Sequence, residues 1–192
     1  HLQYIIDARK ASRNELFITR PSHEVKFRSR LGKYISKLTR LGYPPESINS
    51  VVSQLFSGLN AQVYNTPIDK FIESYIFKNF KQLRPHQFLS LLQLTQDGIK
   101  AVTSKETVEL SDPWILDCSK TYNLINAFGL HKIYGVDLID LHHPTSSQLK
   151  KAEKAFNEFL EYNENKGHGE EYDLVNNWAD DFGLQHYFEL VD

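Results

Sequence analysis

The sequence lacks several features that would assign a protein class directly. Its one cysteine, Cys118, excludes an internal disulfide framework and a cysteine-rich zinc site, and it fits a reducing compartment. No apolar run approaches the roughly 18 residues that a membrane span requires. Basic side chains number 22 against 24 acidic ones, so no basic surplus favours nucleic acid or an anionic membrane. We therefore expect a protein without a membrane span, located in the cytoplasm.

The chain also lacks methionine, and it begins at His1 inside an amphipathic pattern with no signal peptide. A translation start rarely has this form. We therefore expect the 192 residues to be a fragment, a processed product or the ordered part of a longer protein.

Strand-like alternation of apolar and polar residues is scarce, whereas helical periodicity recurs along the whole chain. This pattern predicts an all-α fold, a bundle of about seven to nine helices in a single domain over residues 1–192. Residues 14–19 alternate briefly and could be extended or form a packed loop. The predicted helices cover about 1–12, 22–41, 45–64, 67–80, from 85 onward, 112–129, from 145 onward, and 172–182.

Residues 65–80 contain the most chemically distinctive pattern. Thr66 is a candidate N-cap and Pro67 suits the first helical position. Asp69 and Glu73 lie four residues apart at the edge of an apolar helix face, so Glu73 is expected to be half-buried. A carboxylate there needs a cation, a donor or a metal. The plainer interpretation makes Asp69 a helix-start carboxylate and Glu73 a solvated partner of a lysine.

Motifs of known enzyme classes are missing from the sequence. The eight histidines include no complete His-Glu-x-x-His pair, and His142 and His143 are predicted to lie in a surface loop before Pro144. Nucleophile elbows, phosphate loops and dinucleotide fingerprints do not occur either. These residues alone therefore indicate no enzyme class.

Two segments nevertheless resemble a known family. Residues 1–10, followed about sixty residues later by residues 65–73, resemble the back half of a gluzincin-type zinc metallopeptidase core, as found in a bacterial family. In that family two histidines of one helix and a glutamate of a later helix bind zinc, and a glutamate between the histidines acts as general base.

The resemblance implies a set of site residues. His1 matches the second histidine, Glu73 matches the distal glutamate, and Asp69 would be an alternative ligand or an outer-shell group. The first histidine and the general base would precede His1, so no catalytic residue is expected in this chain, and the chain alone is expected to be inactive. Zinc is implied only together with that upstream motif. Residues 1–80 would be the core remnant, and residues 81–192 a helical extension.

Two functions follow as hypotheses. The first is a zinc-dependent peptidase that hydrolyses peptide bonds through a metal-activated water, with a peptide or protein substrate. The alternative is a non-catalytic all-helical protein-interaction module, suggested by 10 tyrosines and 12 phenylalanines on well-capped helices. A third option, nucleic-acid binding by the basic segment 26–40, is disfavoured because such a segment is usually a solvated helix face.

Overall fold

The computed structural model describes residues 15–165 and 170–191. Within these ranges the chain forms eight α-helices and two three-residue strands. The predicted all-α multi-helix bundle is therefore confirmed. The helix predicted over residues 1–12 and the first histidine, His1, lie outside the described residues.

The helices are numbered here in chain order. Two short 3-10 turns, Lys81–Leu83 and Asp140–His142, connect some of them. The helices are α1 Pro21–Arg30, α2 Gly32–Arg40, α3 Pro45–Asn79, α4 Arg84–Thr103, α5 Lys105–Leu110, α6 Pro113–Tyr134, α7 Ser146–Asn165 and α8 Glu171–Asp181.

The two strands pair β1, Leu16–Ile18, with β2, Glu189–Val191, in an antiparallel register. In the centre of this ribbon Phe17 faces Leu190, and the Phe17 ring stacks on that of Phe188 at 4.6 Å. The extended alternative is thus realised at Leu16–Ile18, while residue 14 lies outside the described residues. Its partner was not predicted, because a three-residue strand is too short to show a period of two.

Helix α3 is the longest element and differs from its prediction. The sequence predicted two helices separated near Thr66, yet α3 runs unbroken for 35 residues with Pro67 in its interior. At a rise of about 1.5 Å per residue it is about 52 Å long. Thr66 and Pro67 are buried, so tertiary packing compensates for the backbone hydrogen bond that proline cannot donate. The prediction that Thr66 caps a new helix is wrong.

Other predicted boundaries were partly right. Asp112 caps α6, because its Oδ1 accepts hydrogen bonds from the amides of Trp114 at 3.0 Å and Ile115 at 3.3 Å. The predicted helix 22–41 divides at Leu31 into α1 and α2. Helix α6 continues past Gly129, its predicted end, and stops at a left-handed Gly135.

Helix α6 lies at the centre of the described bundle. It packs against α3, α4 and α7, while α8 packs on α3. Leu124 and Ile125 of α6 are fully buried, as is Trp178 of α8. The inner faces of α3, α6 and α7 therefore meet, which places the middle of α3 next to the second half of α6.

No described helix combines the length and the apolar character needed to cross a membrane.

Candidate functional site

The strongest chemical feature of the described chain is a buried ion pair on α3. Lys70 Nζ lies 2.5 Å from Glu73 Oε2, one helical turn further along. Lys70 is 2% exposed and Glu73 is 8% exposed. Burial raises the pKa of the Glu73 carboxyl above its ordinary value, and the neighbouring Lys70 ammonium partly offsets that rise.

Gly129 of α6 makes room for this pair. A Cβ atom at Gly129 would lie 3.0 Å from Lys70 Nζ and 3.7 Å from Glu73 Oε2. The ammonium therefore lies against the backbone of α6 at a point where a side chain would crowd it. The absence of a side chain at position 129 is part of how the structure holds the Lys70–Glu73 pair.

One side of the pair borders a cavity of about 200 Å³ between α3, α6 and α7, called here the α3–α6–α7 cavity. Lys70, Glu73 and Gly129 form its buried end. Its walls are mainly apolar, and exposed charged residues surround its outer end. The apolar walls are Phe77, Ile133, Phe156, Phe159 and Leu160, and the exposed charged residues are Lys78, Lys132 and Glu164.

Glu73 also borders a second cavity, of about 410 Å³, between α3 and α4, called here the α3–α4 cavity. Asp69 and His86 also line it. Burial raises the pKa of the Asp69 carboxyl, and Lys70 partly offsets that effect. Gln87 and Ser90 add polar groups to its wall, and the other lining residues are apolar. Two of these apolar residues, Leu83 and Leu94, are 41% and 45% exposed.

Hydrogen bonds fix this end of the bundle. Gln87 Nε2 of α4 donates to the Glu73 carbonyl oxygen at 2.8 Å, and Tyr134 of α6 donates from its hydroxyl to the Arg84 carbonyl oxygen at 2.9 Å. The Phe77 ring packs edge-on against Tyr134 at 5.4 Å. Helices α3, α4 and α6 are thereby tied together around Glu73.

The predicted site residues are partly brought together. Asp69 and Glu73 line the same α3–α4 cavity, but Glu73 is engaged by Lys70. His1 lies outside the described residues, so its predicted convergence with Glu73 stays a prediction. Within 15–165 and 170–191, no three His, Cys, Asp or Glu side chains lie close enough to hold a metal ion.

The sequence did not predict the roles of two residues of this candidate site, Lys70 and Gly129. The sequence pattern did not single out Lys70, and it predicted Gly129 as a helix end. A signal for Lys70 existed, because it precedes Glu73 by three residues, a spacing at which opposite charges meet on a helix. Nothing in the sequence indicates that Gly129 faces this pair, since that contact joins two separate helices.

Compared with protein-family models, curated protein sequences and solved structures, the chain shows no match. The resemblance to a gluzincin-type peptidase therefore stays a prediction from residues 1–10 and 65–73.

Proposed function

We propose that this chain is a non-catalytic helical interaction module that holds one apolar group of a peptide or protein partner in the α3–α6–α7 cavity. One observation carries the proposal: a buried ion pair lies at the inner end of an apolar-walled cavity whose outer end reaches the surface. Binding sites commonly combine apolar walls with a few convergent polar groups in this way.

The size of the cavity supports a single anchor group. Its volume is about 200 Å³, whereas an engineered apolar cavity of about 150 Å³ binds benzene. One phenylalanine or leucine side chain would therefore fill it. The three aromatic walls Phe77, Phe156 and Phe159 suit an apolar or aromatic anchor.

The test uses N-acetylphenylalanine amide, a neutral single-residue probe. Isothermal titration should show saturable binding with a dissociation constant of about 1 mM, equivalent to about 4 kcal/mol. Ser74 lines the cavity, so Ser74→Phe should fill it and abolish binding. Ser90 lines the α3–α4 cavity instead, so Ser90→Phe is the matched control and should leave binding unchanged. Absence of saturable binding, or equal binding by both variants, would contradict the proposed function.

The zinc-dependent peptidase is the second function we propose, resting on the resemblance of residues 1–10 and 65–73. A specific observation supports it: Asp69 and Glu73 share the lining of the α3–α4 cavity. The described residues fit a zinc ion only in part, because the Glu73 carboxylate accepts a hydrogen bond from Lys70. Zinc would have to compete with that ammonium.

The peptidase proposal is tested by the zinc content of the natural full-length protein. Stoichiometric zinc in the wild type that is lost in Glu73→Ala supports Glu73 as a ligand. Equal zinc in both proteins removes Glu73 from the ligand set, and no zinc in either contradicts the peptidase function.

A further inference from the structure

The Lys70 ammonium has more hydrogen-bonding capacity than its described surroundings use. An ammonium group carries three N–H donors, and among the described residues its one hydrogen-bond partner is Glu73. The side chain is 2% exposed, so bulk water does not reach it freely, and Lys70 lines the α3–α6–α7 cavity. Buried donors without acceptors are costly. The cavity is therefore the place from which a further acceptor can reach Lys70.

Most charged side chains at the outer end of the α3–α6–α7 cavity are positive, like the Lys70 ammonium. Lys78 and Lys132 are exposed there, against the single acid Glu164. Lys78 and Lys132 have no ion pair within the described ranges 15–165 and 170–191. Both lie in the last turn of a helix, where a cation also complements the helix dipole. Lys70 does not lie in a last turn, so the dipole gives no reason for an ammonium at the inner end.

We propose that the group which enters the α3–α6–α7 cavity is the C-terminal residue of a peptide: its apolar side chain lies against Phe156 and Phe159, and its free carboxylate accepts hydrogen bonds from Lys70 Nζ. This inference rests on the proposed function and names its partner. A C-terminal residue carries an apolar group and a carboxylate within one residue volume, which matches a cavity of about 200 Å³ whose buried end holds the Lys70 ammonium together with its partner Glu73. The preceding residues leave past Lys78 and Lys132, which favour acidic side chains there.

The experiment compares two probes that differ in one group, N-acetylphenylalanine with a free carboxylate and its amide. The acid should bind at least about tenfold more tightly, the factor expected for a charge-assisted hydrogen bond. If both bind equally, the carboxylate assignment is overturned while the proposed function stands. If neither binds, both fail together.

Substitutions test whether the preference for the acid over the amide depends on Lys70. In the double variant Lys70→Met/Glu73→Leu both charges are removed and the pair is replaced by apolar groups, so the fold is expected to persist. The tenfold preference for the acid should disappear there while the amide still binds. Retention of the preference in the folded double variant would overturn the role of Lys70. Lys81→Gln is the matched surface control, because Lys81 does not line this cavity, and it should keep the preference.

A third experiment distinguishes the C-terminus of a peptide from a small carboxylic acid as the ligand. A tetrapeptide with two glutamates before a C-terminal phenylalanine should bind more tightly than 3-phenylpropionate, and Lys78→Gln/Lys132→Gln should reduce the difference. Equal or tighter binding of 3-phenylpropionate would identify a site for a simple carboxylic acid and overturn the peptide assignment.

Discussion

The Lys70 and Glu73 side chains are almost completely removed from water, and each compensates the charge of the other. Breaking such a pair leaves one uncompensated buried charge, whereas replacing both partners by apolar groups removes the desolvation cost together with the attraction. The two kinds of substitution should therefore have very different effects.

We predict that Lys70→Met lowers the free energy of unfolding by about 3–5 kcal/mol, because the Glu73 carboxylate stays buried without its cation. Lys70→Met/Glu73→Leu should lie within about 1 kcal/mol of the wild type or above it. Denaturant unfolding at neutral pH measures both. A single variant as stable as the wild type would show that the pair is not buried in solution.

The raised pKa of Glu73 gives a pH dependence with a definite sign. The folded state holds this proton to a higher pH than the unfolded chain. The contribution of Glu73 to stability is therefore complete below its ordinary value of 4.5 and is lost as pH rises through the folded pKa. Relative to Glu73→Gln, which does not titrate, the wild type should lose stability as pH rises from about 4 towards neutrality. Unfolding curves of both proteins across this range test it, and a difference that is constant or grows in favour of the wild type would contradict it.

At the scale of single residues, the sequence identified Glu73 as a chemically distinctive carboxylate but did not predict how deeply it is buried. The helical spacing of residues 65–80 placed Glu73 at the edge of an apolar face. A carboxylate there needs a partner, and a lysine was one of the alternatives. The structure pairs it with a lysine, yet in a buried rather than a solvated position. Burial depends on the approach of α6 at Gly129, a contact between distant parts of the chain that local spacing does not encode.

At the scale of elements, α4 and α6 approach closely at Gly98. A Cβ atom there would lie 2.2 Å from Asn123 Oδ1, and the Asn123 amide group donates to the Ser119 carbonyl oxygen at 2.9 Å. This contact tolerates no added side chain without displacement of Asn123.

We predict that Gly98→Ala lowers the free energy of unfolding by about 1–3 kcal/mol, because overpacking outweighs the better helix propensity of alanine. The matched control is Gly58→Ala in α3, where nothing beyond the chain neighbours and the adjacent backbone of the helix lies within 4 Å of an added Cβ. That substitution should stabilise the protein by about 0.5–1 kcal/mol. Thermal unfolding of the two variants measures the contrast, and the same sign for both would contradict the close approach.

Substitution of Pro67 tests whether α3 is one continuous helix or two helices. Proline inside a helix destabilises it by about 3 kcal/mol relative to alanine. Replacing proline also increases the conformational entropy of the unfolded chain, which lowers the free energy of unfolding by about 0.4–1 kcal/mol. Allowing also for the smaller buried side chain, Pro67→Ala should raise the free energy of unfolding by about 1–2 kcal/mol. A decrease of that size would indicate that residue 67 starts a separate helix.

The helix boundaries show what local signals can predict. Asp112 before Pro113, and Thr145 with Gln148, mark helix starts because a side chain meets nearby amides, and the structure has these bonds. Thr66 before Pro67 looks the same in sequence but lies inside α3. The burial of Thr66 and Pro67 in the packed bundle keeps α3 continuous there. Such tertiary packing cannot be predicted from neighbouring residues in the sequence.

At the scale of the whole molecule, helical periodicity was sufficient to predict an all-α bundle, since each amphipathic face must be covered by another. It could not predict which faces meet. The α3–α6–α7 cavity arises where three helices contribute apolar side chains around one ion pair. No segment of the sequence contains that arrangement by itself, so the cavity and its lining could be identified only from the structure.

The most direct test of the cavity as the binding site is a two-dimensional NMR titration with the tetrapeptide that ends in a free C-terminal phenylalanine. Saturable shift changes should appear at Ser74, Gly129 and Ile133, which line the α3–α6–α7 cavity. The resonances of His86 and Leu91 in the α3–α4 cavity should stay in place. Changes confined to the α3–α4 cavity, or no saturable change at all, would contradict the account.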